Sequence, residues 1–381
     1  MRIVGVAALA LVGVACGGAS AVQPEPRPTL APEAQPASAP LASVVPSVAS
    51  RPESWTVEVV ATTEVLRNAA LAVGPEGTSI TFVRPSTRRI ERVRRATASW
   101  WSPEHVTDGA SARVAFDRRS DVGPSWALLG DEPVLGKLVA GAPAGVWAQR
   151  LTLGSRPERV LDGSVRASSV ALDRAGAPHA CVSTNEHPAL SYATRGKQGW
   201  SSTTIGKESE RCAIAVADDG ALVVASANVA EVEAAVRSPA GVWKTSALSA
   251  GERFAAVDTA ILGKDAAIAF SAGSQVRLAR LDANGTWTQS VLVPDAGGIV
   301  GAIALALDSA GRARVACSIR REKESSDEIA LLNEVTGTST TVTVDDTWRF
   351  TSLALVLDAQ DHPHIAYTGA SGRLFYASVA P

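Results

Sequence analysis

The chain has 381 residues, and its 36 basic and 38 acidic side chains leave a formal net charge of −2, a balance that argues against bulk nucleic-acid binding. The four cysteines Cys16, Cys181, Cys212 and Cys317 show no zinc-ligand spacing, and no G-x-S-x-G, H-E-x-x-H or phosphate-loop motif occurs. No metal, nucleotide or other cofactor is therefore expected.

Residues 1–15 read as an export signal. Arg2 precedes an apolar run over 3–14, about a dozen residues and too short to span a bilayer stably. Gly13-Val14-Ala15-Cys16 resembles a bacterial lipobox, with Gly13 standing where leucine is usual, so Cys16 is the expected lipidation site. Ala19-Ser20-Ala21 supplies the small-x-small pattern of ordinary cleavage, and that alternative stays open. Either route takes the protein out of the cytoplasm. Gly17 after the cysteine, rather than aspartate, points by resemblance to an outer-membrane lipoprotein; a periplasmic or secreted protein is the alternative. Residues 16–53 are dense in proline and lack aromatics, which favours an extended tether over any packed element.

From 54 to 381 the chain reads as one repeat domain. Tryptophans at Trp55, Trp101, Trp147, Trp200, Trp243 and Trp287 each mark an expected outer strand, recurring about every 45 residues, and STTVTV near Thr340 is a seventh copy without tryptophan. A second landmark runs in phase with the first. An alternating strand such as Ser169-Val170-Ala171-Leu172 leads into a tight turn, Asp173-Arg174-Ala175-Gly176, and then a second strand, PHACVS. Asp308 to Gly311 and Asp358 to Asp361 repeat the turn, with weaker copies at Gly74-Pro75-Glu76-Gly77 and Ala217-Asp218-Asp219-Gly220. Aspartate opens such a turn through its side-chain acceptor, and glycine takes its left-handed position.

Period-2 alternation without helical stretches predicts an all-β protein, a β-propeller with four-stranded blades. Blades are expected to begin near 69, 112, 168, 212, 257, 302 and 352; the second and fifth match the repeat worst, so six or eight remains open. The last repeat, RFTSLALVLDAQDHPHIAYTGASGRLFYASVAP, lacks its outer strand, and the orphan strand SWTVEVV at Ser54 is expected to complete it and close the ring.

That last repeat is similar to repeats of exported bacterial propellers of the sialidase-like and fucose-lectin-like kind. The resemblance implies architecture rather than activity. Asp282-Ala283-Asn284-Gly285-Thr286-Trp287 only echoes a sialidase Asp-box, and Phe82-Val83-Arg84-Pro85 has the letters of the family's FRIP motif in the wrong order. The family's catalytic residues find no counterparts.

His179 and His364 each follow proline at the start of a second strand and read as repeat-consensus structural residues. Cys181 and Cys212 lie in neighbouring repeats, where a disulfide is one alternative and three free buried thiols, Cys317 included, the other. The run RPSTRRIERVRR over 84–95 reads as a solvated strand face, with contact to an anionic polymer as the sharper alternative. Five arginines, Arg67, Arg166, Arg211, Arg253 and Arg349, stand where the chain enters an innermost strand. Strand alternation puts them on one face with the loops between second and third strands and with the insertions at 155–165 and 320–328. They are the candidate anion- or glycan-binding site, since the guanidinium fork matches carboxylate, sulfate or phosphate. The expected function is a non-enzymatic binding module of the cell envelope for a glycan or protein partner, acidic glycan included. The alternative is a sialidase-like glycosidase or lyase on the same ring. A monomer is expected, touching the membrane through its lipid anchor alone.

Overall fold

A computed structural model describes residues 42–43, 54–61, most of 69–105, the strands between 127 and 162 and, with short gaps, 163–379. All of these lie in Leu41–Pro381, one of the two compact units into which the chain divides. The described residues contain strands and turns and no helix.

Seven inner strands follow one another among the described residues: Ala70–Gly74, Ala127–Leu129, Val165–Leu172, Arg211–Val216, Val257–Leu262, Ile299–Leu307 and Ser352–Leu357. Each lies against the next, and the last lies against the first, so they form a closed ring. From each, the chain runs outward through an antiparallel sheet. The protein is a β-propeller, and its blades are numbered here from these inner strands.

Closure is as expected. The last blade has Ser352–Leu357, Pro363–Thr368 and Leu374–Val379 in order, and its outer strand is Trp55–Ala61. Trp55 pairs with Val379 and Glu58 with Tyr376, so the two ends of the domain are zipped together. The fifth blade is regular despite its weak repeat, with Val257–Leu262, Asp265–Ala272, Gln275–Leu281 and Trp287–Val293. Ala42–Ser43 add a two-residue parallel strand to its outer edge, opposite Ser290 and Val291.

The second blade departs from expectation. The predicted start near 112 lies outside the described residues, and the inner position is held by Ala127–Leu129, paired with Glu132–Leu135. The segment expected as an insertion at 155–165 is partly a strand instead. Glu158–Asp162 pairs with Gly145–Ala148, which carries Trp147, and adds an extra outer strand. The cause is apolar: Val160 and Leu161 pack with Val165, Val170, Ala180 and Trp200 of the third blade. Burying such side chains contributes about 1.5–3 kcal/mol each, more than a free loop would gain by staying in water.

Second strands are the driest part of each wedge. Pro178–Thr184 and Leu222–Ala227 are buried at every position. Alanine predominates where blades converge, as at Ala266, Ala267 and Ala269, because a larger side chain would hold neighbouring sheets apart. Cys181 and Cys212 form a disulfide between the second strand of blade 3 and the inner strand of blade 4. Cys317 is a buried free thiol whose pKa burial pushes up to about 12, so it stays protonated and unreactive.

Candidate functional site

The connections into the inner strands form the mouth face. Arg166 stands one residue into the inner strand of blade 3, and its guanidinium is shared by two carboxylates, Glu208 and Glu210 at 3.0 Å. Those acids close the outer strand of blade 3 and the link to blade 4. Hydrogen bonding to Glu208 leads the interactions that raise the Arg166 pKa, so this cation is fixed and largely neutralised in place. Arg211 is exposed, and its guanidinium donates a 3.0 Å hydrogen bond to the Glu210 carbonyl. Arg67, Arg253 and Arg349 lie outside the described residues.

Acids accompany the bases round this face. Lys207 Nζ reaches Glu231 at 2.9 Å and Glu233 at 3.1 Å on blade 4. Arg277 reaches Glu252 at 2.9 Å on the link between blades 4 and 5, and Arg321 pairs with Glu328 at 2.5 Å. These are partly exposed pairs, each contributing about 0–1 kcal/mol to stability, and their effect is a patterned rim of alternating charge. Spacing alone made the arginines visible. Their partners come from the ends of outer and third strands, which only the folded sheet brings close.

A second constellation lies on the opposite face, and it occurs twice. In blade 3, His179 Nδ1 is 2.6 Å from the Tyr192 hydroxyl, and Nε2 is 3.5 Å from Asp173 Oδ2. In blade 7, His364 Nδ1 is 2.5 Å from the Tyr376 hydroxyl, and Nε2 is 3.4 Å from Asp358 Oδ2. The carboxylate keeps the ring proton on Nε2, so each tyrosine donates to Nδ1. Burial lowers both histidine pKa values despite the acid, leaving neutral rings at pH 7. The next blade caps each tyrosine edge-on with tryptophan. Trp243 lies 5.1 Å from Tyr192 at 62°, and Trp101 lies 5.2 Å from Tyr376 at 72°. The structural reading of both histidines agrees with this geometry. Among the described residues no group of three or more histidine, cysteine or acidic side chains is arranged to hold a metal.

No family model matches the chain, and no curated protein sequence resembles it. Solved structures do. YCF48 bound to D1 peptide is 14% identical with a TM-score of 0.51, over 88% of this chain and 98% of that one. BBS1N in complex with ARL6DN is 11% identical with a TM-score of 0.54, over 86% of this chain and 96% of that one. At these identities the likeness concerns the fold, and it agrees with the ring of blades.

Proposed function

We propose that the chain is an exported, lipid-anchored binding module without catalysis, whose mouth face takes a protein partner at the cell envelope. The observation that carries this reading is Arg166 held between Glu208 and Glu210, beside Lys207 with its own two acids. A rim that alternates sign suits the mixed charges of a protein surface, which steer encounter and fix register. It suits a polyanion less, because the carboxylates repel it. Two propellers of similar fold were solved with a peptide or a protein partner, which supports the same direction. The exposed Arg211 favours a second reading, an acidic glycan at the mouth, together with the arginines at 67, 253 and 349.

The test is a binding screen of the whole chain against envelope proteins and acidic glycans. A protein ligand should associate more slowly as salt rises, and both Glu208→Lys and Arg211→Glu should weaken it about tenfold through the on-rate. If Arg67, Arg166 and Arg211 changed together to Gln weaken an acidic glycan without lowering the Tm, the glycan reading replaces it. Turnover of any glycoside would restore the enzyme. The anchor has its own check: mass spectrometry should find a diacylglyceryl group on Cys16, and a mature N-terminus at Val22 would overturn it.

A further inference from the structure

The two copies of the aromatic cluster differ at one position. At the junction of blades 7 and 1, Arg95 ends the third strand of blade 1, Trp101 precedes its outer strand, and both point at one carboxylate. Arg95 Nη1 donates to Glu58 Oε1 at 2.6 Å, and the Trp101 indole N–H donates to Glu58 Oε2 at 3.3 Å. Glu58 sits on the closing strand directly opposite Tyr376.

At the junction of blades 3 and 4 the same donors are present. Arg237 and Trp243 are paired across the corresponding turn. The guanidinium carbon of Arg237 lies 5.6 Å from the Tyr192 ring centre, and Trp243 meets that ring as Trp101 meets Tyr376. The residue opposite Tyr192, in the place of Glu58, is Thr203, and it is exposed. The strand that carries it, Gly199–Glu208, holds no carboxylate before Glu208 at its far end. Arg237 makes no ion pair among the described residues. The Arg237 guanidinium and the Trp243 ring thus both stand at Tyr192, and among the described residues a threonine, not an acid, holds the position that Glu58 holds in the twin.

We propose that the junction of blades 3 and 4 binds a carboxylate from outside the chain, held by Arg237 and Trp243 as Glu58 is held by Arg95 and Trp101. Glu58 is an internal cast of the ligand. Asp173 beside His179 does not exclude an anion, because Asp358 occupies the same position beside His364 where Glu58 is already bound. The guanidinium stacked on a tyrosine face loses little freedom on binding, which favours a planar, two-oxygen ligand over a point anion such as chloride. The site lies on the face opposite the mouth, so it stands or falls separately from the function proposed above.

The test follows the indole N–H resonance of Trp243 in the 15N-labelled whole chain, assigned by its loss in Trp243→Phe. Probes are blocked glutamate, blocked glutamine and glucuronate. Blocked glutamate should shift the resonance with saturation on the order of 1–10 mM, as one charge-assisted fork on a small ligand allows, and blocked glutamine should not. A parallel response to glucuronate supports the site with an acidic sugar as an equally able source of the group. Arg237→Gln should abolish the response. Thr203→Glu, at an exposed position that does not endanger folding, should shift the resonance without any probe and remove further response. The proposal is overturned if the resonance ignores blocked glutamate, if glucuronate alone moves it, or if Thr203→Glu responds like the unaltered chain.

Discussion

Asp361 occupies a backbone position that glycine fills in the sister turns. Its φ is 63°, against 76° at Gly176, 83° at Gly220 and 76° at Gly311. Left-handed backbone costs a side chain about 1 kcal/mol, and here the carboxylate offsets that by accepting from the Ser309 N–H at 2.8 Å and the Ser309 hydroxyl at 2.6 Å in the preceding blade. Asp361→Ala keeps the strain and loses both bonds, so denaturant titration should show a loss of about 1–3 kcal/mol. Asp361→Asn, which tolerates the conformation and keeps an acceptor, should lose less than half of that. Asp258 makes the opposite trade. Its carboxylate accepts from the Leu305 N–H at 2.7 Å in the next inner strand and from the Thr259 N–H at 2.8 Å, and among the described residues it pairs with no cation. Desolvation pushes its pKa up to about 6, above the ordinary 3.8. The folded state therefore binds this proton more tightly than the unfolded chain, and the stability it lends is complete below pH 3.8 and lost as pH rises through about 6. The residue keeps some surface, so the effect is discounted to on the order of 1–2 kcal/mol. In thermal melts Asp258→Asn should gain on the natural chain between pH 5 and 8 and lose that advantage near pH 4. Parallel curves would show that Asp258 stays ionised throughout.

At the scale of strands and blades, the two aromatic junctions form a controlled pair. Register aligns Cys181 with Ala366 and Cys212 with Ala69, both alanines buried in the cluster that holds Leu71, Leu374 and Tyr376. Ala69→Cys with Ala366→Cys should therefore form a second disulfide, visible as a gel shift on reduction, and raise the Tm of the oxidised protein. Removing the natural bridge with Cys181→Ala and Cys212→Ala should cost about 3–4 kcal/mol for a separation of 31 residues. Most of the blades were legible in the sequence because two landmarks, the strand tryptophan and the aspartate turn, recur in phase and agree. Blade 2 was the hardest to place because its repeat matches the landmarks poorly, and the start expected near 112 lies outside the described residues. His179 and His364 were visible as repeats. Their partners Trp243, Arg237, Trp101 and Arg95 were not, because each comes from the next blade and no local spacing links it to the histidine.

For the molecule as a whole, deleting residues 54–62 should expose Leu374–Val379 as an unpaired edge, and light scattering should report aggregation where the full chain stays dispersed. Equal Tm and equal scattering would remove the strand from the closure. The disulfide and the apolar junctions hold neighbours together, but the pairing of Trp55 with Val379 joins the first strand of the domain to nearly its last residue. That contact sets a clock. A chain made from its N-terminus presents Trp55–Ala61 early, and the strand must wait unpaired for its partner until almost the entire domain has been synthesised. Blades 3 to 6 can assemble from their own local hairpins meanwhile, since each needs only its own segment and its neighbours. The ring itself has no partial form. A chain interrupted anywhere before Leu374 carries an open seam and a free edge at both ends, so a protease or chaperone that reads exposed strand edges distinguishes finished molecules from unfinished ones without recognising any particular sequence.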